Sequence, residues 1–134
     1  MKLITRDTDY AIRALCYIAK NKNRIVCVKE LVKYLRIPKP FLRKILQKLN
    51  KKNMLKSYKG KGGGFKLPKA SDKILITDLM RIFQGPFELN EHIFKKRLCP
   101  YVKTCALKKK LDAIEKIVVR ELEAITIFSL IKDD

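Results

Sequence analysis

Residues 39–67 read KPFLRKILQKLNKKNMLKSYKGKGGGFKL, and the fold is decided there. Pro40 suits the first helical position, where its missing N–H costs nothing. Leu42, Ile45, Leu46 and Leu49 then recur at helical spacing and define one apolar stripe, with Arg43, Lys44, Gln47 and Lys51 on the opposite side. Beyond Asn53 come two short strand-like pieces, 55–58 and 64–67, joined by Lys59-Gly60-Lys61-Gly62-Gly63. The triple glycine 62–64 permits positive φ and close backbone approach, although a plain flexible loop has the same composition. A helix fits the major groove of a duplex and a hairpin tip can reach the adjacent minor groove. The stretch therefore predicts the reading head of a winged helix-turn-helix protein. Lys39, Pro40, Arg43, Lys44 and Gln47 on the helix, with Lys59, Lys61, Gly62 and Gly63 on the hairpin, are its candidate DNA-facing residues.

The distribution of charge supports that reading. The 134 residues carry 32 Lys and Arg against 13 Asp and Glu, a formal net charge of +19. Residues 1–69 hold 20 basic and 3 acidic side chains, whereas residues 70–134 hold 12 and 10. Nearly all the excess lies with the helix and hairpin, where a phosphate backbone is the natural partner and a lysine-rich solvated surface is the bland alternative. A hydrophobic fraction of 47% is enough to build a core. No run approaches the ~18 apolar residues of a membrane span, and MKLITRDTDY lacks the apolar core of a signal peptide. A bacterial-type cytoplasm with reduced thiols is the expected setting, and four cysteines are too few for a secreted disulfide scaffold.

Outward from the head, residues 8–20 predict a first helix with Ala11, Leu15 and Ile18 inside. Asp9, Arg13, Cys16 and Lys20 share a second stripe on it. Asp9 suits the helix dipole and can pair with Arg13; Cys16 has the ordinary reading of a small buried hydrophobe. Residues 28–35 predict a second helix with Leu31 and Leu35 inward, and Pro38 and Pro40 separate it from the third. Residues 77–84 predict a further helix stopped by Gly85-Pro86. No sustained period follows until about Thr104, in a connection that carries His92 and two cysteines. From 105 to 124, Leu107, Leu111, Ile114, Val118, Leu122 and Ile125 recur at near-heptad spacing. Such a helix is about 30 Å long, too long for a small winged domain to cover, so pairing with a second subunit is expected. Thr126 is placed to cap a last turn over 127–131.

Cys99 and Cys105 form a C-x5-C pair. Structural zinc pairs prefer two to four intervening residues, and a permanent disulfide suits a reducing cytosol poorly. A reactive thiol pair beside a helix N-terminus and Lys108–Lys110 remains open, as does an iron–sulfur cluster held by thiolates.

TDYAIRAL, IPKPFLRKILQKLNKKNML, SYKGKGGGFKL and the C-x5-C loop before a long helix together resemble the Rrf2 family of bacterial winged-helix repressors. The match in order and spacing covers essentially the whole chain. Members of that family regulate iron–sulfur biogenesis, sense nitric oxide or control cysteine metabolism. The resemblance implies a mainly α fold with a small β-hairpin wing and a long C-terminal dimerisation helix. It also implies a homodimer on a palindromic double-stranded DNA operator, with Arg43 and Lys59 at family readout positions. Pro40 stands where one branch often has Ser, which implies a different operator preference.

Many members hold a 2Fe–2S or 4Fe–4S cluster on three loop cysteines and one further ligand. Cys99 and Cys105 match the last two of these cysteines, and the first falls near Phe94, which cannot ligate. The ligand set implied is Cys99 and Cys105 with Asp9 of the partner subunit, His92 or Cys16 being lesser candidates. The expected organisation is a DNA-binding domain over 1–84, a cysteine-containing loop over 85–104 and a dimerisation helix with its tail over 105–134. The expected function is a transcriptional repressor that senses redox state, nitric oxide or iron–sulfur status. Its nearest rival is a cluster-free regulator with a thiol switch. A basic RNA-binding module is the alternative of another class, and against it the chain offers no paired aromatics on an exposed strand for stacking bases. An enzyme is not expected from one histidine and no nucleophile motif.

Overall fold

The computed structural model describes residues 2–88 and 105–132. Its elements in chain order are α1 (Arg6–Lys20), α2 (Val28–Leu35), α3 (Lys39–Lys51), β1 (Lys56–Tyr58), β2 (Gly64–Lys66), a 3-10 turn (Ser71–Lys73), α4 (Ile76–Gln84), α5 (Ala106–Glu123) and α6 (Ile127–Lys132). This is the mainly α winged helix-turn-helix with a β-hairpin and a long C-terminal helix that the sequence predicts.

The core is built from the stripes read in the sequence. Ala11, Ala14, Leu15 and Ile18 of α1 are buried together with Leu31 of α2 and Leu42, Ile45, Leu46 and Leu49 of α3. α1 begins two residues earlier than its apolar period suggests, because Thr5 caps it: the Thr8 amide donates to Thr5 Oγ1 at 3.4 Å. α2 ends where Arg36 turns left-handed at φ 57, its amide still bonded to the Val32 carbonyl at 2.9 Å. Ile37 is then buried, and Pro38 caps α3 so that Pro40 is its second residue rather than its first. α3 stops in a Schellman motif with Asn53 left-handed at φ 62: the Met54 amide reaches the Leu49 carbonyl at 2.8 Å and the Asn53 amide that of Asn50 at 3.1 Å.

The wing is mounted firmly on the body. β1 and β2 pair antiparallel with Ser57 opposite Phe65. Val26, in the α1–α2 connection, adds a backbone bridge to Phe65 with N–H···O distances of 3.0 and 2.8 Å. A Cβ on Gly64 would lie 2.3 Å from the Val26 carbonyl oxygen, so only glycine permits this approach.

The long helix is divided. Val118, Leu122 and Ile125 pack on Ile76 and Met80 of the same chain, whereas Leu107, Ile114 and Ile117 are 62%, 49% and 58% exposed. The expected continuous seam is thus half satisfied within one chain, because α4 covers the lower turns of α5 only. After α5 the chain returns to the body. A backbone bridge joins Leu75 and Thr126, and Ile127 of α6 enters the main core beside Ile74 and Leu79. Thr126 caps α6 as expected, Oγ1 accepting from the Ser129 amide at 3.0 Å.

Candidate nucleic-acid interface

Local sequence explains why one face of α3 is free to read a ligand. Leu42, Ile45, Leu46 and Leu49 turn inward at 0–3% exposure, leaving Lys39, Pro40, Arg43, Lys44, Gln47 and Lys51 exposed along the outer side. At the wing, Lys59, Lys61 and Gly62 are exposed and Gly63 is half-buried. Gly63 closes the turn, its amide donating to the Gly60 carbonyl at 3.0 Å. The DNA-facing candidates therefore lie on two elements consecutive in the chain, all but Gly63 exposed.

The electrostatics of this face are one-sided. No Asp or Glu occurs between Glu30 and Asp72, a span with thirteen Lys and Arg. Among the described residues, none of the ion pairs involves a cation of α3 or the hairpin. The first turn of α3 holds no acid and its cap makes no side-chain bond, so its free amides add to the positive field. Such a surface neutralises phosphates by displacing their counterions.

Behind the face, a polar clamp holds α1 to α2. Arg24 Nη1 donates to Glu30 Oε1 at 2.7 Å, while Arg24 Nη2 and the Tyr17 hydroxyl both donate to Glu30 Oε2. The Arg24 guanidinium and the Tyr17 hydroxyl hold the Glu30 carboxyl down to about 2. In return Glu30 raises the ionisation points of Arg24 and Tyr17. The Tyr17 ring also packs on that of Tyr34, their centroids 4.4 Å apart.

A second tie was not read from the sequence. Gln84, at the end of α4, accepts from the Thr5 amide at 3.1 Å and from the buried Thr8 hydroxyl at 2.8 Å, and donates to the Leu3 carbonyl at 3.0 Å. It pins the start of α1, where the Arg6 guanidinium lies 5.1 Å over the Phe41 ring. The signal for Phe41 was present: it is a large apolar residue standing off the buried stripe of α3.

The candidate ligand residues are only partly brought together. Cys105 is the half-buried cap of α5; Cys99 and His92 lie outside the described residues. Asp9 and Cys16 line one open groove of about 360 Å³ beside Arg13, Tyr17 and Tyr34. The Asp9 carboxylate accepts from Arg13 Nε at 2.8 Å and raises the Arg13 ionisation point. Among the described residues, no three of the His, Cys, Asp and Glu side chains come together as a metal site. The donor chemistry of two thiols and a carboxylate suits iron, provided Asp9 exchanges Arg13 for it.

A helix-turn-helix followed by a short glycine-rich wing defines the class of winged-helix regulators. The chain belongs to the Rrf2 family, described as iron-dependent transcriptional regulators, whose family model matches residues 4–133. A helix-turn-helix protein of Aquifex aeolicus is 39% identical over 98 residues, spanning 72% of this chain and 68% of its own. The transcriptional regulator NsrR of Bacillus licheniformis is 32% identical over 132 residues, 91% of this chain and 92% of its own. In fold the chain is similar to CymR, the global cysteine regulator of B. subtilis, with a TM-score of 0.78, 20% identity and coverage of 100% and 99%. The family is one of transcription regulators, not enzymes, and its winged-helix members bind DNA. No helix among the described residues is long and apolar enough to cross a membrane.

Proposed function

We propose that the chain is a homodimeric, cytoplasmic transcriptional repressor that binds a palindromic operator and answers to redox state, nitric oxide or iron–sulfur status. The observation that carries the DNA reading is the acid-free cationic face formed by α3 and the wing. Residues 1–84 read the operator, with Arg43 and Lys59 at the readout positions and Lys39, Lys44, Gln47 and Lys61 as further polar contacts to the duplex. Pro40, Gly62 and Gly63 allow close approach. Residues 105–134 pair the subunits through Leu107, Ile114 and Ile117, whose exposure leaves them without cover in one chain.

The sensing element is placed in residues 85–104 and their flanks. Cys99 and Cys105, with Asp9 of the partner subunit, would hold a 2Fe–2S or 4Fe–4S cluster, and His92 or Cys16 would be a further ligand. Bound there, the cluster would supply one-electron redox chemistry and iron with an affinity for nitric oxide. In this chain the responding residues are Asp9, which returns to Arg13 when released, and Gln84, which ties the loop-proximal end of α4 to α1. A coupling of 1–3 kcal/mol between loop and α3 alters operator occupancy ~5–150-fold. Anaerobic purification followed by visible absorption, iron and sulfide assays tests this reading. A brown, iron-containing protein whose DNA affinity changes on bleaching is expected. A colourless, iron-free protein with unaltered DNA binding overturns it.

A cluster-free reading is favoured by one observation, the Asp9–Arg13 pair, which already satisfies the proposed carboxylate ligand. In that case Cys99 and Cys105 act as a thiol switch, and Ser at both positions abolishes an oxidant response in a protein that never had colour.

A further inference from the structure

We infer that Arg6 is a phosphate-contacting residue of the DNA face, stationed beside the start of α3 by the ring of Phe41. This rests on the DNA-binding reading and extends it to a helix that is otherwise part of the scaffold. Phe41 is the third residue of α3 and is 43% exposed, among exposed side chains that are otherwise Lys, Arg, Gln, Asn and Pro. The Arg6 guanidinium covers it at 5.1 Å, within cation–π range.

Arg6 is also the first residue of α1, where the helix dipole favours an acid over a cation. Its contact with Asp7 is 4.0 Å between side chains that are 63% and 55% exposed, too loose and wet to be the reason for its placement. A cation held against the dipole, with one face on an aromatic ring, keeps its edge N–H groups for an external anion. The planar fork of a guanidinium matches two oxygens of a phosphodiester. The first turn of α3 holds no acid, so the carboxylate beside the guanidinium is Asp7 of its own helix. Gln84 fixes the approach, because it bonds the Leu3 carbonyl and the Thr5 amide ahead of Arg6 and the Thr8 side-chain hydroxyl after it. The ligand is thus a backbone phosphate flanking the groove that α3 enters.

The test is a salt titration of binding to a mixed-sequence DNA duplex, since phosphate contacts are read without sequence. Arg6→Ala should weaken binding on the order of tenfold at low salt and reduce the slope of log K against log salt by about 0.9 per bound protomer. Arg6→Lys should restore the slope, and Arg6→Gln replaces Ala if circular dichroism shows α1 disturbed. Phe41→Leu should weaken binding in the wild-type background but not in Arg6→Ala, the non-additivity expected of residues acting as a unit. A slope unchanged in a folded Arg6→Ala chain that still binds DNA overturns the assignment of Arg6 alone. A wild-type chain that binds no duplex at low salt overturns the DNA reading and this inference with it.

Discussion

The reading head and the long helix use the same apolar residues to opposite ends. In α3 the stripe Leu42, Ile45, Leu46, Leu49 is buried at 0–3% and its outer side carries only polar and basic groups around Phe41. In α5 the stripe begins in solvent at Leu107 and Ile114 and ends at Leu122, which is 6% exposed. Helical periodicity identifies a stripe but does not say what covers it. Coverage depends on which elements lie alongside, and among the described residues α4 packs against the lower turns of α5.

Four substitutions break or sharpen this contrast. Leu46→Ala removes a fully buried side chain from the head and should cost about 2–5 kcal/mol, read by urea denaturation. Ile114→Ser in the exposed half of α5 should leave the stability of one chain nearly unchanged. Self-association should instead weaken by about 2–3 kcal/mol, roughly thirty- to a hundred-and-fifty-fold in Kd, because both copies of the residue are affected. Sedimentation velocity measures this, and equal effects on folding and association would erase the distinction between the two stripes.

Gly64→Ala attacks the seat of the wing. Its Cβ would meet the Val26 carbonyl at 2.3 Å and its φ of +156 suits glycine. A loss of about 1–3 kcal/mol is expected, with weaker duplex binding and α5 self-association intact. The smallest effect belongs to Glu30→Gln. The Glu30 carboxyl is depressed from its ordinary 4.5 to about 2, so its contribution is present above pH 4.5 and is lost as pH falls towards 2. The wild type should therefore be slightly more stable than Glu30→Gln at neutral pH. That difference should shrink in thermal melts below pH 4.5 and vanish only as the pH falls through about 2.

Much of the head was legible in the sequence because its signals are local. α2 spans Val28–Leu35 as read, and the stripes of α1 and α3 are buried as read; Gly63 and Gly64 sit where the chain approaches itself, a use the sequence did not show. The ties that position the head were not legible. Gln84 with Thr8, and Arg6 with Phe41, join residues far apart in the chain, and no period encodes such pairs. The division of the α5 stripe was hidden for the reason above: Leu and Ile recur alike on covered and uncovered turns. The return of α6 to the core was hidden too, since Ile127 reads as an ordinary member of a last turn.

That return has a mechanical consequence. The Ile76 amide bonds to the Ile125 carbonyl at 3.1 Å and the Ile127 amide to the Ile74 carbonyl at 2.9 Å, so the lower end of α5 is stitched to the body at the backbone. In a dimer joined through the upper turns of α5, each head would sit at the end of a stiff arm, as in a pair of callipers. The gap between the two heads would then be fixed by the length and angle of the arms. One extra residue within α5 between Ile114 and Val118 would turn each head by about 100° about the arm, leaving both grips intact but set for the wrong stretch of double helix.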